Sequence, residues 1–462
     1  MKKTASLSAL ALLATFTLRA GEFRLPPPEV FTLDNGMTVL YRLDRTAPLV
    51  SFQAILGGAG TADEPQGKEG VAGLTADLLL KGCGGKSAQA VAEAIDFMGA
   101  SLTMSSDAES AQMSGLCLRE HFPVLLDLAS AALTTPDLPA DEFERERARR
   151  RESFKSLKDD AHAAIRPYFM KAYFAGHPLG RLALGTEASL GALGPDDVKA
   201  FYKACYRPDR MILCVVGDIS PDDLKAALGR TLGTWARPAA PAGAPSLPEF
   251  PKPSGRRLLL VDKPDLNQSF FILGGPGFAF GDPVEPRAQV FNTLFGDRFT
   301  SWLNTELRIK RGLTYGAGSA FQGWRNGGLF TIASYTKNED LGTMLDITLD
   351  LMKKAREQGF AAADVESARN YIRGQTPLDL ETAGQQADAY AQLRFYGIGW
   401  DYFDRFLAEV SRVTPAAVAD AAKRLVPSED FTLVVLGKAE AVLPILEKYG
   451  KFEVRKISDP GF

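Results

Sequence analysis

PDDVKAFYKACYRPDRMILCVVGD, residues 195–218, and PAAVADAAKRLVPSEDFTLVVLGK, residues 415–438, carry the same plan. Pro195 opens an amphipathic helix ending near Tyr206. Pro208 follows, then an apolar strand from Met211 to Val216, then Gly217-Asp218. In the second stretch Pro415 opens a helix ending near Leu425, and Pro427, the strand Phe431 to Leu436 and Gly437-Lys438 follow. The leading prolines stand 220 residues apart and the following ones 219. Proline is favoured at the first helical position and excluded from the helix interior, so each marks a boundary. Helix, proline, strand and glycine in one order at one offset predict a chain built as two repeats.

Between the repeats lies RPAAPAGAPSLPEFPKPSGR, Arg237 to Arg256. Prolines this dense predict an extended linker. The expected division is therefore 1–20 as a leader, 21–236 as the first half, 237–256 as the linker and 257–462 as the second half. Within the first half, Asn35-Gly36 between Phe31-Thr-Leu33 and Met37-Thr-Val-Leu-Tyr41 signals a hairpin. Ser87 is placed to cap a helix with Val91, Ile95 and Met98 on one face, closed by Gly99. Two alternating strands, Ser101 to Ser105 and Ser110 to Leu118, precede an apolar helix from Phe122 to about Leu133. The Arg-rich run from Phe143 to Leu157 reads as a solvated helix face. Hairpins mixed with long helices predict an α+β fold: two homologous halves, each a mostly antiparallel sheet with helices packed on one face, forming a half-clam.

The chain has 462 residues, 45% hydrophobic and 24% charged, with net charge −3. That is ordinary globular composition, and it offers no basic excess for nucleic acid or an anionic membrane surface. Lys2 and Lys3, an apolar run from about Ala5 to Leu18, and Ala20 as a cleavage residue read as a secretory signal peptide. The run is too short to cross a bilayer, and no Cys stands near the cleavage region to suggest a lipoprotein. A periplasmic or secreted location is expected. Cys83, Cys117, Cys205 and Cys214 show neither a scaffold spacing nor a metal-binding pair; small buried hydrophobes are the simpler reading. Gly57 to Gly60 and Gly274-Gly-Pro-Gly277 lack the Lys-Ser/Thr of a phosphate loop, and turns or close backbone approach explain them better.

Leu33-Asp-Asn-Gly36, Gly58-Ala-Gly60, Glu64, Gly70-Val-Ala and Leu78-Leu-Leu-Lys-Gly82 resemble the opening of an insulinase/pitrilysin-family zinc peptidase. His177-Pro-Leu-Gly180 with Gly185-Thr186 and Leu190, and Tyr206-Arg-Pro208 leading to Val215-Val-Gly-Asp218, resemble further blocks. The resemblance runs from about residue 30 to 440. Active members carry His-x-x-Glu-His on the helix after the Gly-x-Ala; two imidazoles one turn apart hold zinc and the Glu is the general base. Here Gly73 stands at the first His, Ala76 at the base and Asp77 at the second His. The distal zinc-binding Glu falls near Glu152 or Ser153. Catalytic zinc needs about three protein ligands, so no metal is expected in this chain. His121, His162 and His177 are scattered and unpaired at helical spacing. Restoring His, Glu and His at positions 73, 76 and 77 is expected to give weak zinc binding at most, without activity.

The second half contains LRIKRGLTYGAGS, residues 307–319. Read alone, Thr300 to Lys310 is a helix with a basic last turn, Gly312 ends it, and a strand begins at Leu313. This places Arg308 at a helix end and Tyr315 at a strand start. The resemblance implies more. Family members carry an Arg and a Tyr at this spacing, facing the zinc across a chamber, where they contact substrate backbone and steady the tetrahedral intermediate. In two-chain members one subunit bears His-x-x-Glu-His and the other the Arg and Tyr. The chain thus resembles a zinc-free subunit, inactive alone. It would supply substrate-binding Arg308 and Tyr315 to a homologous partner that holds the zinc, the two closing around a peptide; an isolated chain could form an inactive homodimer. The other readings are a peptide-binding or scaffold pseudo-peptidase with no proteolytic partner, and, least favoured by Gly73 and Ala76, a peptidase with an unusual metal site.

Overall fold

The computed structural model describes residues 24–240, 243 and 247–459. The leader segment 1–20 lies outside them. In the first half the strands are β1 (Glu29–Thr32), β2 (Thr38–Leu43), β3 (Leu49–Gly57), a two-residue ribbon of β4 (Gly82–Cys83) and β5 (Lys86–Ser87), then β6 (Ser101–Ser106), β7 (Ser110–Leu118) and β8 (Met211–Gly217). Six of them form one sheet in the order β1-β2-β8-β3-β7-β6. The second half contributes β9 (Arg257–Asp262), β10 (Gln268–Pro276), β11 (Ala317–Trp324), β12 (Gly327–Lys337), β13 (Thr432–Gly437) and β14 (Glu453–Lys456). Their order, read from the far edge, is β14-β9-β13-β10-β12-β11. The two sheets are the same construction. Strands β8 and β13, the repeated Met211 and Phe431 runs, occupy equivalent central places, each parallel to one neighbour and antiparallel to the other. The edges differ: β1 enters from the start of its half and runs antiparallel to β2, whereas β14 returns from the end of the chain and runs parallel to β9.

The local signals behave as their chemistry dictates. Gly36 takes φ +95° in the β1–β2 turn, and the Asn35 side chain bonds the carbonyls of Leu232 and Trp235. Ser87 caps the helix Ala88–Phe97 by accepting from Ala90 N–H at 3.3 Å. The repeated prolines open the helices Pro195–Cys205 and Pro415–Leu425. The four cysteines are buried and free. Among the described residues no helix is long and apolar enough to cross a membrane.

One feature of the architecture goes beyond helices on a single face. The helix Ala161–Phe174 belongs to the first half but lies on the sheet of the second; the helix Ala383–Tyr396 belongs to the second half and lies on the sheet of the first. Tyr390 and Ala387 pack with Leu40, Ile55 and Val216. His162 sits edge-on to Phe270 and Tyr335, 4.5 and 4.6 Å between ring centroids. Two glycines make room for the exchange. A Cβ at Gly274 would meet the Phe169 ring at 2.5 Å, and one at Gly57 the Phe395 ring at 3.1 Å, so these glycines serve close approach. The central strands are consequently covered on both faces, which is why β3 is buried almost throughout, Ser51 and Gln53 included, and β13 reads as a nearly unbroken apolar run.

Candidate functional site

The helix Val71–Leu79 carries Gly73, Ala76 and Asp77, the positions that the family resemblance assigned to a zinc motif. Its first turn is held by Glu64, whose Oε1 accepts from Gly70 N–H at 2.8 Å and Ala72 N–H at 3.0 Å. Gly70 can precede the helix because its φ is +92°. Burial pushes the Glu64 carboxyl up to about 8, against the lowering effect of the Ala72 and Gly70 amides and of Arg181. Since the folded value lies above the ordinary 4.5, the fold prefers the protonated acid. That contribution to stability is present below about pH 4.5 and is lost as pH rises through about 8. Glu64→Gln keeps an acceptor for both amides and carries no charge. Its melting temperature is expected to vary less between pH 5 and 8 than that of the native chain; parallel pH profiles for the two would contradict this.

Gly73, Ala76 and Asp77 lie on the same helix, and Ala76 is fully buried. The long helix Ala140–Asp159 packs beside it. Here the Arg-rich run departs from a purely solvated face. Arg150 is 5% exposed and Glu146 4%. The Arg150 guanidinium donates to Asp77 Oδ2 at 2.8 Å and to the Ala183 carbonyl, and Arg149 donates to the same Asp77 oxygen at 2.9 Å. A Cβ at Gly73 would stand 2.4 Å from the Ala183 carbonyl oxygen and 2.8 Å from an Arg150 nitrogen. Neither distal position named from the sequence faces Asp77: Glu152 is exposed and pairs with Lys155, and Ser153 bonds the Arg149 carbonyl. Arg149 and Arg150 stand there instead. The residues do not fit a zinc ion: Asp77 is held by Arg149 and Arg150, the neighbouring Glu146 carboxylate is held by Arg149 and Lys81, and no histidine joins them. Among the described residues no three His, Cys, Asp or Glu side chains converge to hold a metal. The three histidines are apart, His177 capping its own turn by accepting from Leu179 N–H and His121 beside Glu120.

The surroundings of Arg308 and Tyr315 are built differently. Arg308 lies in the helical segment Asn304–Lys310, anchored by buried Leu303 and Leu307. Gly312, at φ +64°, closes it: its N–H reaches the Arg308 carbonyl at 3.1 Å and Leu313 N–H the Leu307 carbonyl at 2.9 Å. The strand then starts at Ala317, so Tyr315 sits in the connection two residues before it rather than at a strand start. The cause is local. The buried Thr314 hydroxyl bonds the Gly316 backbone, a side-chain turn that competes with the ladder. Thr336 and Ser334 donate to the Leu313 and Gly316 carbonyls at 2.7 and 2.9 Å. Residues 313–317 are thus pinned on both sides, and Tyr315 projects with 80% exposure. The Arg308 guanidinium lies 4.8 Å over the ring of Phe299, itself exposed. Tyr315 is exposed and Arg308 half-buried, and among the described residues neither forms an ion pair or hydrogen bond with an acidic side chain.

Two family models cover residues 40–187, as insulinase (peptidase family M16), and residues 192–372, as the peptidase M16 inactive domain. The chain belongs to the insulinase family. An uncharacterized zinc protease of Streptomyces coelicolor is 26% identical over 422 residues, 90% of this chain and 91% of that protein. The probable mitochondrial-processing peptidase subunit beta of Schizosaccharomyces pombe is 25% identical over 439 residues, 91% and 93% of the two chains. A solved peptidase M16 inactive domain from Pseudomonas fluorescens superposes with TM-score 0.82 at 23% identity, over 89% of this chain and 97% of its own, which establishes the shared fold. Within that family fold, this chain has guanidinium groups against the helix Val71–Leu79. Sequence reading missed Arg149 and Arg150; the signal was an arginine one helical turn from the buried Glu146, on a helix with Phe143 and Phe154 inward.

Proposed function

We propose that this chain is the zinc-free subunit of a two-chain insulinase-type endopeptidase, acting in the periplasm or outside the cell. In this reading it binds an extended peptide and supplies Arg308 and Tyr315 to a zinc site held by a homologous His-x-x-Glu-His partner. One contrast carries the reading. The degenerate motif is closed by Arg150 against Asp77, whereas Tyr315 is exposed on a segment fixed by Thr336 and Ser334. A scaffold has no need of such a pedestal. Donors fixed in advance stabilise charge that develops only in the transition state, and they act best when they need no reorganisation. Zinc in the partner would polarise the scissile carbonyl; this chain's part is to hold the peptide and offer two donors.

Affinity capture of the tagged chain from its native cells, with mass spectrometry of co-purifying protein, tests the pairing. A stoichiometric chain of similar size bearing His-x-x-Glu-His is the expected result. Recovery of this chain alone, or within an unrelated complex, would leave the peptide-binding or scaffold role.

A further inference from the structure

Among the described residues the Arg308 guanidinium has one partner, and that partner is a ring. It lies 4.8 Å over Phe299. Glu306, on the same helical segment, pairs with Lys310 instead. The difference matters for a donor. A carboxylate would hold the guanidinium through its N–H groups and occupy the bonds that a substrate carbonyl needs. A ring face attracts the positive charge without supplying an acceptor oxygen, so the N–H groups remain available.

The backbone under Phe299 is fixed, although its ring is 58% exposed. Ser301 N–H bonds the Arg298 carbonyl at 2.9 Å, closing a turn with Phe299 at its first central position. Ser301 and Leu303 are fully buried, and Arg298 donates to the Ser367 hydroxyl at 3.0 Å. Both flanks of this turn are π-helical: Thr293–Asp297 before it, and Asn304–Lys310, which carries Arg308, after it. Such turns are rare and recur at functional sites. Their wider winding changes the direction in which the side chains project. Asn304 ties the second of them to the strand beyond Tyr315, its Oδ1 accepting from Ala317 N–H at 3.3 Å. Phe299, Arg308 and Tyr315 are therefore carried on one pinned unit.

We propose that Phe299 is the positioning residue for Arg308: its ring holds the guanidinium ready for the peptide while leaving the N–H donors unoccupied. The proposal rests on the reading of Arg308 as a substrate-binding donor and adds the group that aims it. A donor fixed before the substrate arrives needs no reorganisation in the transition state.

NMR of the isolated full-length chain, labelled selectively in arginine, tests the contact without a partner. The Arg308 side-chain protons should show the upfield shift of a ring face. That shift should vanish in Phe299→Leu and persist in Phe299→Trp, since tryptophan is the strongest cation–π ring. An Arg308 signal at the position of a solvated arginine, unmoved by Phe299→Leu, would overturn the inference. Steady-state kinetics of the two-chain enzyme captured with this chain test the consequence. Phe299→Leu should lower kcat about two- to fivefold, the change that one cation–π contact near the surface supports. KM and the melting temperature should stay as they were, and Phe299→Trp should restore the rate. In an Arg308→Gln background Phe299→Leu should have no further effect. If Arg308→Gln itself leaves kcat unchanged, or no peptidase partner is captured, the function proposed for the chain fails and the inference falls with it. If Arg308→Gln lowers kcat but Phe299→Leu does not, or Phe299→Leu acts equally with and without Arg308, the inference alone is wrong.

Discussion

Arg150→Met should destabilise the first half by about 3 kcal/mol, the lower end of what removing one partner of a buried ion pair costs. The Arg150 side chain is 6% exposed and Asp77 27%, so the pair is largely but not wholly shielded from water. Methionine keeps much of the packing volume and removes the charge. Asp77 then retains only the more exposed Arg149, and the Ala183 carbonyl loses its donor. Asp77→Asn should cost less, since an amide oxygen still accepts from both guanidinium groups. Arg150→Met with Asp77→Leu should recover part of the loss, because replacing a buried pair outright by apolar groups is often near neutral. Chemical denaturation of Arg150→Met, Asp77→Leu and their double gives the coupling; single variants indistinguishable from the native chain would show that the guanidinium is not holding the helix Val71–Leu79. The same geometry revises the expectation for restoring the zinc motif. A histidine at position 73 needs a Cβ 2.4 Å from the Ala183 carbonyl oxygen, so the triple replacement is expected to disrupt this helix rather than bind zinc weakly.

Tyr315→Phe should lower kcat of the assembled two-chain enzyme by about 10²–10³, the usual cost of one transition-state donor, while leaving assembly and stability unchanged. The expectation follows from the local build. Among the described residues the hydroxyl makes no hydrogen bond, the side chain is 80% exposed, and the backbone that carries it is fixed by Thr314, Ser334 and Thr336. Removing one oxygen from such a side chain has no folding consequence, so any loss of rate reports on substrate. A loss mainly in kcat marks a donor used in the transition state; a rise in KM alone marks uniform peptide binding. Unchanged kinetics in a pair that does cleave peptides would remove Tyr315 from the reaction.

Much of this was legible in the sequence, and the gaps have physical causes. The Pro195 and Pro415 repeats announced two equivalent sheets because proline, apolar strand and glycine are local punctuation. The exchange of Ala161–Phe174 and Ala383–Tyr396 between halves was not legible. An apolar helix face states that it must be covered, not which sheet covers it; only Gly57 and Gly274 hinted that rings press on those strands. That the chain carries no His-x-x-Glu-His could be read directly from the sequence. The arginine against Asp77 could not, since seven Lys or Arg residues between Phe143 and Lys158 look alike until one is buried. Tyr315 was read at a strand start and lies two residues before the strand, because the Thr314 side-chain turn is invisible to an alternation pattern. The stacking of Arg308 on Phe299 was missed altogether: the two stand nine residues apart, and the π-turns around them leave no periodic signal.

Zinc content measured on the full-length, isolated chain after growth in zinc-replete medium tests the central claim most directly. The account predicts only traces of zinc, removed by brief chelator treatment, and no peptidase activity. One tightly bound zinc per chain would contradict it.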